Sequence, residues 1–214
     1  MTRLVLASTS PRRREILSAL GFEFALASPQ CEELSAVEAR SKGLPPEALC
    51  LENARRKALA ASSIICAESK EDPVRILFLG VDTIVVKDGI VLSKPGNSFE
   101  AHAMLRSLQG SEHQVLSGLC LKAGDGRSVE RACRTSVEFA PMTTGEIEWY
   151  LATGEYVDKA GAYGIQGLAS LFVRRIEGCY FNVVGLPVRT LYEALEELGV
   201  PVAELSAGPG GAGR

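Results

Sequence analysis

Residues 75–86, RILFLGVDTIVV, constrain the fold more than any other stretch of the chain. The run is apolar almost without a break and β-branched toward its end, the composition of a strand covered on both faces. Such a strand belongs in the middle of a sheet. Asp82 interrupts it, and an ionised carboxylate there is costly unless it is paired, bound to a metal or placed where the strand faces a cleft. The residues leave three compensations open: a structural ion pair with Lys57 or Lys94, a divalent cation, or a water held for activation.

The rest of the chain alternates short strands with helices. Residues 3–7 read as a strand, Ser10 as an N-cap and Pro11 as the first helical position, with Gly21 as the stop. Residues 22–27 read as a second strand, 28–46 as a polar connection and 47–61 as a helix. Asp88-Gly89 turns the central strand into residues 90–92, and Asn97 with Glu100 starts a helix through Leu108. Strands over 114–123 and 128–139 flank Gly124-Asp125-Gly126, and Thr143 with Glu146 caps a helix to Ala152. A glycine-rich loop at 157–167 precedes a strand over 170–176, and a helix runs from Pro187 to Leu198. This pattern predicts an α/β fold, a mixed twisted sheet with flanking helices, as a single domain over residues 1–200. The glycine-rich tail at 205–214 is expected to be disordered.

Composition narrows the classes. With 46% apolar and 23% charged residues among 214, the chain is expected to fold over most of its length. A net charge of −3 gives no bulk attraction to a nucleic-acid polymer. No apolar run approaches the ~20 residues of a membrane span, and MTRLVLASTSPRRR lacks the order of a signal peptide, so a cytoplasmic protein is expected. The six cysteines, Cys31, Cys50, Cys66, Cys120, Cys133 and Cys179, form no CxxC pair and are expected to be free thiols. There is no HExxH, GxSxG, Walker loop or GxGxxG.

What chemistry remains points toward phosphate. Arg12, Arg13 and Arg14 crowd a helix N-terminus that the macrodipole would make acidic. A polyanion held by that turn and by the hydroxyls of Ser8, Thr9 and Ser10 relieves the repulsion; a solvated cationic face is the other reading. Lys94, extended before Pro95, presents a point charge. Lys57 reads by itself as helix surface, and Glu32 and Glu33 as a hydrophilic connection. In the loop, glycines at 161, 164 and 167 allow close backbone approach to a ligand, with Tyr163 and Gln166 adding selectivity. The amide of Gln166 can read a nucleobase edge or belong to a plain turn.

Taken together, LASTSPRRREIL, ENARRKA, GVDTIV, SKP, DKAGAYGIQG and NVVGLP, in that order over residues 3–198, resemble the Maf family of nucleoside triphosphate pyrophosphatases. The family is similar in fold to the inosine triphosphate pyrophosphatases, with two lobes around a nucleotide cleft, and its members are often dimeric. The resemblance implies hydrolysis of an NTP between the α and β phosphates, giving NMP and pyrophosphate, with a divalent cation, Mg²⁺ or Mn²⁺. It implies that Ser8, Arg12, Arg13, Lys57 and Lys94 bind the phosphates, that Glu33 and Asp82 hold the metal, and that Asp82 is the proton acceptor. In the branch acting on dTTP, UTP and modified pyrimidine nucleotides, base specificity goes with an Arg, Thr and Gln set that corresponds to Arg13, Thr83 and Gln166. A house-cleaning enzyme of the nucleotide pool, acting as a homodimer, is therefore expected. The alternatives are a 7-methyl-GTP or other noncanonical-NTP pyrophosphatase, and a non-catalytic nucleotide-binding regulator of septum formation. The sequence departs from the family at Gln30-Cys31-Glu32-Glu33, where members usually read Asp-Ile-Asp-Glu, and more mildly at Thr9 and Ser93.

Overall fold

The computed structural model describes residues 2–28, 30–68 and 72–206. In chain order its strands are β1 (Arg3–Ala7), β2 (Phe24–Ala27), β3 (Ile76–Lys87), β4 (Ile90–Leu92), β5 (Glu112–Ala123), β6 (Ser128–Phe139) and β7 (Val173–Glu177). The helices are α1 (Pro11–Ala19), α2 (Ala36–Ser41), α3 (Pro46–Glu68), α4 (Ser98–Leu108), α5 (Thr144–Ala152), α6 (Tyr180–Val184) and α7 (Val188–Glu197). Seven strands form one mixed sheet in the order β2-β1-β3-β5-β6-β7, with β4 paired to β3. β1 runs parallel to β2 and β3, whereas β5, β6 and β7 add antiparallel. The expected mixed α/β sheet, with residues 75–86 at its centre, is what the chain adopts.

β3 is buried along most of its length, and the burial loosens at Asp82 and Thr83. Its two edges explain why. β5 pairs with it from Leu77 to Val86 on one side. On the other, β1 covers Ile76 to Leu79 and β4 covers Val85 to Lys87, so along that edge no strand of the described residues lies beside residues 80–84. The sheet is split there, and the split is the floor of the candidate site.

α3 lies on the sheet unusually closely. A Cβ on Gly80 would stand 2.0 Å from the Ala54 carbonyl oxygen, and one on Gly118 would stand 2.3 Å from the Cys50 carbonyl. The facing helix residues Ala54, Ala58 and Ala61 are small and fully buried. Two adjacent strands that bring only hydrogen to the contact let the helix backbone settle onto the sheet backbone.

Where the structure differs from the sequence reading, the reasons are local. α2 lies in the stretch read as polar connection: its Ser35–Glu38 capping box is intact, but it buries only Ala39 and so offers no apolar stripe. α3 continues past Ala61 because Ile65 packs against the Ala61 side of the core. α6 is five residues long, too short for periodicity to show. Residues 168–172 form a 3-10 turn before β7, which starts at Val173. Leu205 is buried and Ser206 bridges Phe22, so the fold reaches two residues into the expected tail; residues 207–214 lie outside the described residues. Among the described residues no helix is long and apolar enough to cross a membrane.

On the opposite side of the sheet, His113, Phe139 and Tyr163 pack edge to face, and His113 Nε2 shares a 2.8 Å hydrogen bond with the Tyr163 hydroxyl. Burial pushes the His113 imidazole down to about 4, and its Nδ1 has no partner among the described residues. Because the unfolded state takes up a proton near 6.5 and the native state resists it, stability is complete above that pH and falls as pH drops toward 4. The swing is on the order of 3 kcal/mol. Urea unfolding between pH 4 and 7 should show this slope, and His113→Gln should flatten it. The glycine contacts make a separate prediction: Gly118→Ala should cost about 3 kcal/mol through overpacking. Gly145→Ala, in open space at the start of α5, should be neutral or stabilising by about 0.5 kcal/mol in the same denaturation assay.

Candidate functional site

A cleft of about 790 Å³ opens over the split in the sheet. Its near wall is the turn after β1, the first turn of α1, Asp82 and Thr83 of β3, Lys57 of α3 and Glu33. Its far wall is the segment from Glu155 to Gly167 with Val183, Val184 and Gly185. The carboxyl end of a parallel strand, here β1, is where open α/β sheets receive ligands. Ser8, Arg12, Arg13, Glu33, Lys57, Asp82, Thr83, Lys94 and Gln166 all line this one cleft, although the sequence scatters them over 159 positions from Ser8 to Gln166.

Successive residues of a strand point to opposite faces, and at the split both faces reach the cleft. On the α3 face, Lys57 Nζ lies 2.7 Å from Asp82 Oδ1 and 2.9 Å from Glu33 Oε2. Lys57 is therefore buried, not helix surface, and it is Lys57, not Lys94, that pairs with Asp82. Lys94 stays exposed on the rim. Asn53, one turn before Lys57, donates to Asp82 Oδ2 at 3.3 Å. Asn53 also clamps Leu34, accepting from its N–H at 2.7 Å and donating to its C=O at 3.0 Å, which fixes the backbone next to Glu33. Gln30, Cys31 and Glu32 do not line the cleft, so the main departure from the family pattern falls off the site, whereas the milder one at Thr9 lies on the cleft wall.

Among the described residues no cluster of three or more Asp, Glu, His or Cys side chains gathers. Glu33 and Asp82 nevertheless bring two hard oxygen donors to a common centre. Mg²⁺ is commonly held by one or two carboxylates, its remaining positions filled by water and substrate phosphate, and the pair fits that mode.

On the other face of β3 sits Arg13. Its Nε donates to the Gly185 carbonyl at 2.8 Å, and its two terminal nitrogens donate to Ser8 Oγ at 3.0 Å and Thr83 Oγ1 at 3.2 Å. Thr83 Oγ1 in turn shares a 2.8 Å bond with Ser117 Oγ, its cross-strand neighbour on β5. Three of the five guanidinium donors are thereby used. Desolvation lowers the pKa of Arg13, with Asp82 opposing, and no carboxylate of the described residues is in contact with it. Ser10 caps α1 without a side-chain bond; Ser8 Oγ accepts the Ser10 N–H as well as Arg13, which leaves its own proton to donate. Of the three arginines, Arg12 faces the cleft, Arg13 is buried and Arg14 is exposed.

Tyr163 corrects one expectation: its hydroxyl is spent on His113 inside the core, so of the two residues expected to add selectivity Gln166 alone presents its polar group to the cleft. The reading from sequence did not single out Asn53, Ser117, Gly185, Glu155 or Lys159. Asn53 carried a usable signal, since it lies four residues before Lys57 and so shares its helix face. Lys159 is partly buried and donates to the Glu155 carbonyl; burial first, and Arg12 second, lower its pKa.

A buried guanidinium that no carboxylate of the described residues touches, flanked by further cations that line the same cleft, defines a protein built to handle phosphorylated ligands. Residues 3–198 match the family described as Maf-like protein, and the chain belongs to it. It is 45% identical over 208 residues to a dTTP/UTP pyrophosphatase of Symbiobacterium thermophilum, covering 97% of this chain and all of that one. A dTTP/UTP pyrophosphatase of Pyrococcus horikoshii is 43% identical over 197 residues, covering 92% and 96%. Among solved structures, the Staphylococcus aureus Ham1 protein aligns with a TM-score of 0.43 and 14% identity, covering 65% of this chain and 72% of that one, too distant to carry an argument.

Asn53→Ala should destabilise the protein by about 2 kcal/mol, because it orphans the buried Leu34 amide and carbonyl together. Hydrogen exchange should speed up around residues 32–36 while β5 and β6 stay protected.

Proposed function

We propose that this chain is a nucleoside triphosphate pyrophosphatase that hydrolyses dTTP and UTP to NMP and pyrophosphate. The observation that carries the reading is the division of the cleft between a buried, uncompensated Arg13 on one face of β3 and the Asp82–Lys57–Glu33 cluster on the other. The names of the relatives at 43–45% identity support the same reaction and bases.

In this reading the triphosphate lies along the near wall. Ser8 donates its remaining proton to a phosphate oxygen, Arg12 and Lys94 neutralise charge from the rim, and the two unused N–H groups of Arg13 face the ligand. Asp82 accepts the proton of the attacking water, and Lys57 passes from its carboxylate partners to the phosphoryl oxygens as charge develops there. Glu33 and Asp82 hold a divalent cation, Mg²⁺ or Mn²⁺, which supplies charge neutralisation to the phosphates when bound. Gln166 offers an amide donor and acceptor to the uracil or thymine edge, while Thr83, fixed by Arg13 and Ser117, closes the pocket behind the base. A homodimer working in the cytoplasm belongs to the same proposal.

Pyrophosphate release should be measured from dTTP, UTP, 5-methyl-UTP, CTP, GTP, 7-methyl-GTP and ITP, with Mg²⁺, Mn²⁺ or chelator. Release confined to the uracil and thymine nucleotides, and lost with chelator, is expected. Asp82→Asn should lower kcat by about 100-fold or more while dTTP binding persists. Turnover of 7-methyl-GTP or ITP would overturn the base assignment, and silence across the panel would favour a binding regulator.

A further inference from the structure

The side chain of Gln166 is exposed on the far wall, and no described residue hydrogen-bonds to it. Where its amide points is therefore set by the backbone on either side. Both flanks are tied to one carboxylate. On the C-terminal side, Glu155 Oε2 accepts the Leu168 N–H at 2.8 Å and Oε1 accepts the Ala169 N–H at 3.4 Å. On the N-terminal side, the Tyr150 hydroxyl donates to Glu155 Oε1 at 3.0 Å and accepts the Gly164 N–H at 3.4 Å.

The loop is also moulded to these side chains. A Cβ on Gly167 would stand 2.2 Å from Glu155 Oε2, and one on Gly164 would stand 2.7 Å from Lys159 Cε. Lys159 folds back to donate to the carbonyl of Glu155. The Gly167 N–H closes a turn on the Gly164 carbonyl at 3.1 Å, with Gln166 inside it. Half-buried Glu155 is thus the hub of the turn at residues 164–169, within which Gln166 is the polar side chain.

We propose that Glu155 is a positioning residue for base selection: its carboxylate fixes both flanks of Gln166 and so sets which nucleobase edge the cleft accepts, without touching the reacting atoms. This rests on the pyrophosphatase reading above. A carboxylate suits the hub because it only accepts hydrogen bonds, and two backbone N–H groups and a phenol O–H all donate to it. An amide in its place has one oxygen for the same donors.

The test is steady-state pyrophosphate release with Mg²⁺ for wild type, Glu155→Ala, Glu155→Gln, Gln166→Ala and the double variant Glu155→Ala/Gln166→Ala. Glu155→Ala is expected to raise KM for dTTP about tenfold, with the loss falling on KM more than on kcat. The ratio of kcat/KM for dTTP over that for CTP should drop to the value of Gln166→Ala. Glu155→Gln should fall between, and the double variant should be no less selective than Gln166→Ala alone, since one function is being removed twice. Tyr150→Phe, which keeps the buried ring and cuts only the N-terminal tie, should lose part of the selectivity and stands in if Glu155→Ala does not fold. An unchanged dTTP/CTP ratio in Glu155→Ala or Tyr150→Phe, with kcat lowered equally for every nucleotide, would overturn the proposal. So would independent, additive losses in the double variant. Absence of pyrimidine nucleotide turnover in the wild type would instead overturn the reading on which it rests.

Discussion

The approach of α3 to the sheet governs the carboxylate half of the site. Because Gly80 and Gly118 bring no side chain to the contact, the helix backbone lies against the strand backbones, and its polar residues at 53 and 57 arrive where longer spacing would leave water. Asp82 is two residues beyond Gly80 on the same face and directly opposite Gly118 on β5. The 2.7 Å contact between Lys57 and Asp82 is thus a product of backbone packing two residues away. A helix displaced outward by even one methyl group would convert that ion pair into two solvated charges, worth little to stability and poorly placed for chemistry.

The split in the sheet does the complementary work for the other face. A fully paired β3 would hide Asp82 and Thr83 behind neighbouring strands on opposite sides. With β1 ending at Ala7 and β4 rejoining only at Val85, one opening reaches both faces, so a single ligand can meet Lys57 on one and Arg13 on the other. The charges are sorted accordingly. Lys57 is outnumbered by two carboxylates, whereas no carboxylate of the described residues is in contact with Arg13, and Arg12, Lys94 and Lys159 share its cleft with Glu155 and Asp158.

Much of this could be read in the sequence because it is locally encoded. Asn97 with Glu100 and Thr143 with Glu146 cap the helices they announce, and residues 75–86 declare a central strand by composition alone. Of the nine candidate residues, Ser8, Arg12, Arg13, Asp82, Lys94 and Gln166 already had a chemical reading of their own, whereas Glu33, Lys57 and Thr83 came from resemblance, since taken singly Lys57 looked like helix surface and Glu33 like a hydrophilic connection. What stayed illegible is non-local. No pattern near Gly118 tells that a helix 68 residues earlier, at Cys50, will rest on it, and nothing near Tyr163 tells that its hydroxyl faces His113 rather than the ligand. α2 and α6 escaped for a different reason, being too short to show a period and held by their capping box or by Asn182, whose amide reaches β5 and β6.

β3 is at once the spine of the core and the bearer of Asp82 and Thr83. Its pairings join residues 3–6 and 114–123, so it finds its place only after the chain has closed loops of about 70 and about 35 residues. No local segment can assemble the site ahead of the whole. Competence for ligand and the native topology are then one cooperative event, and a partly folded chain of this kind carries the cost of its exposed strands with none of the return.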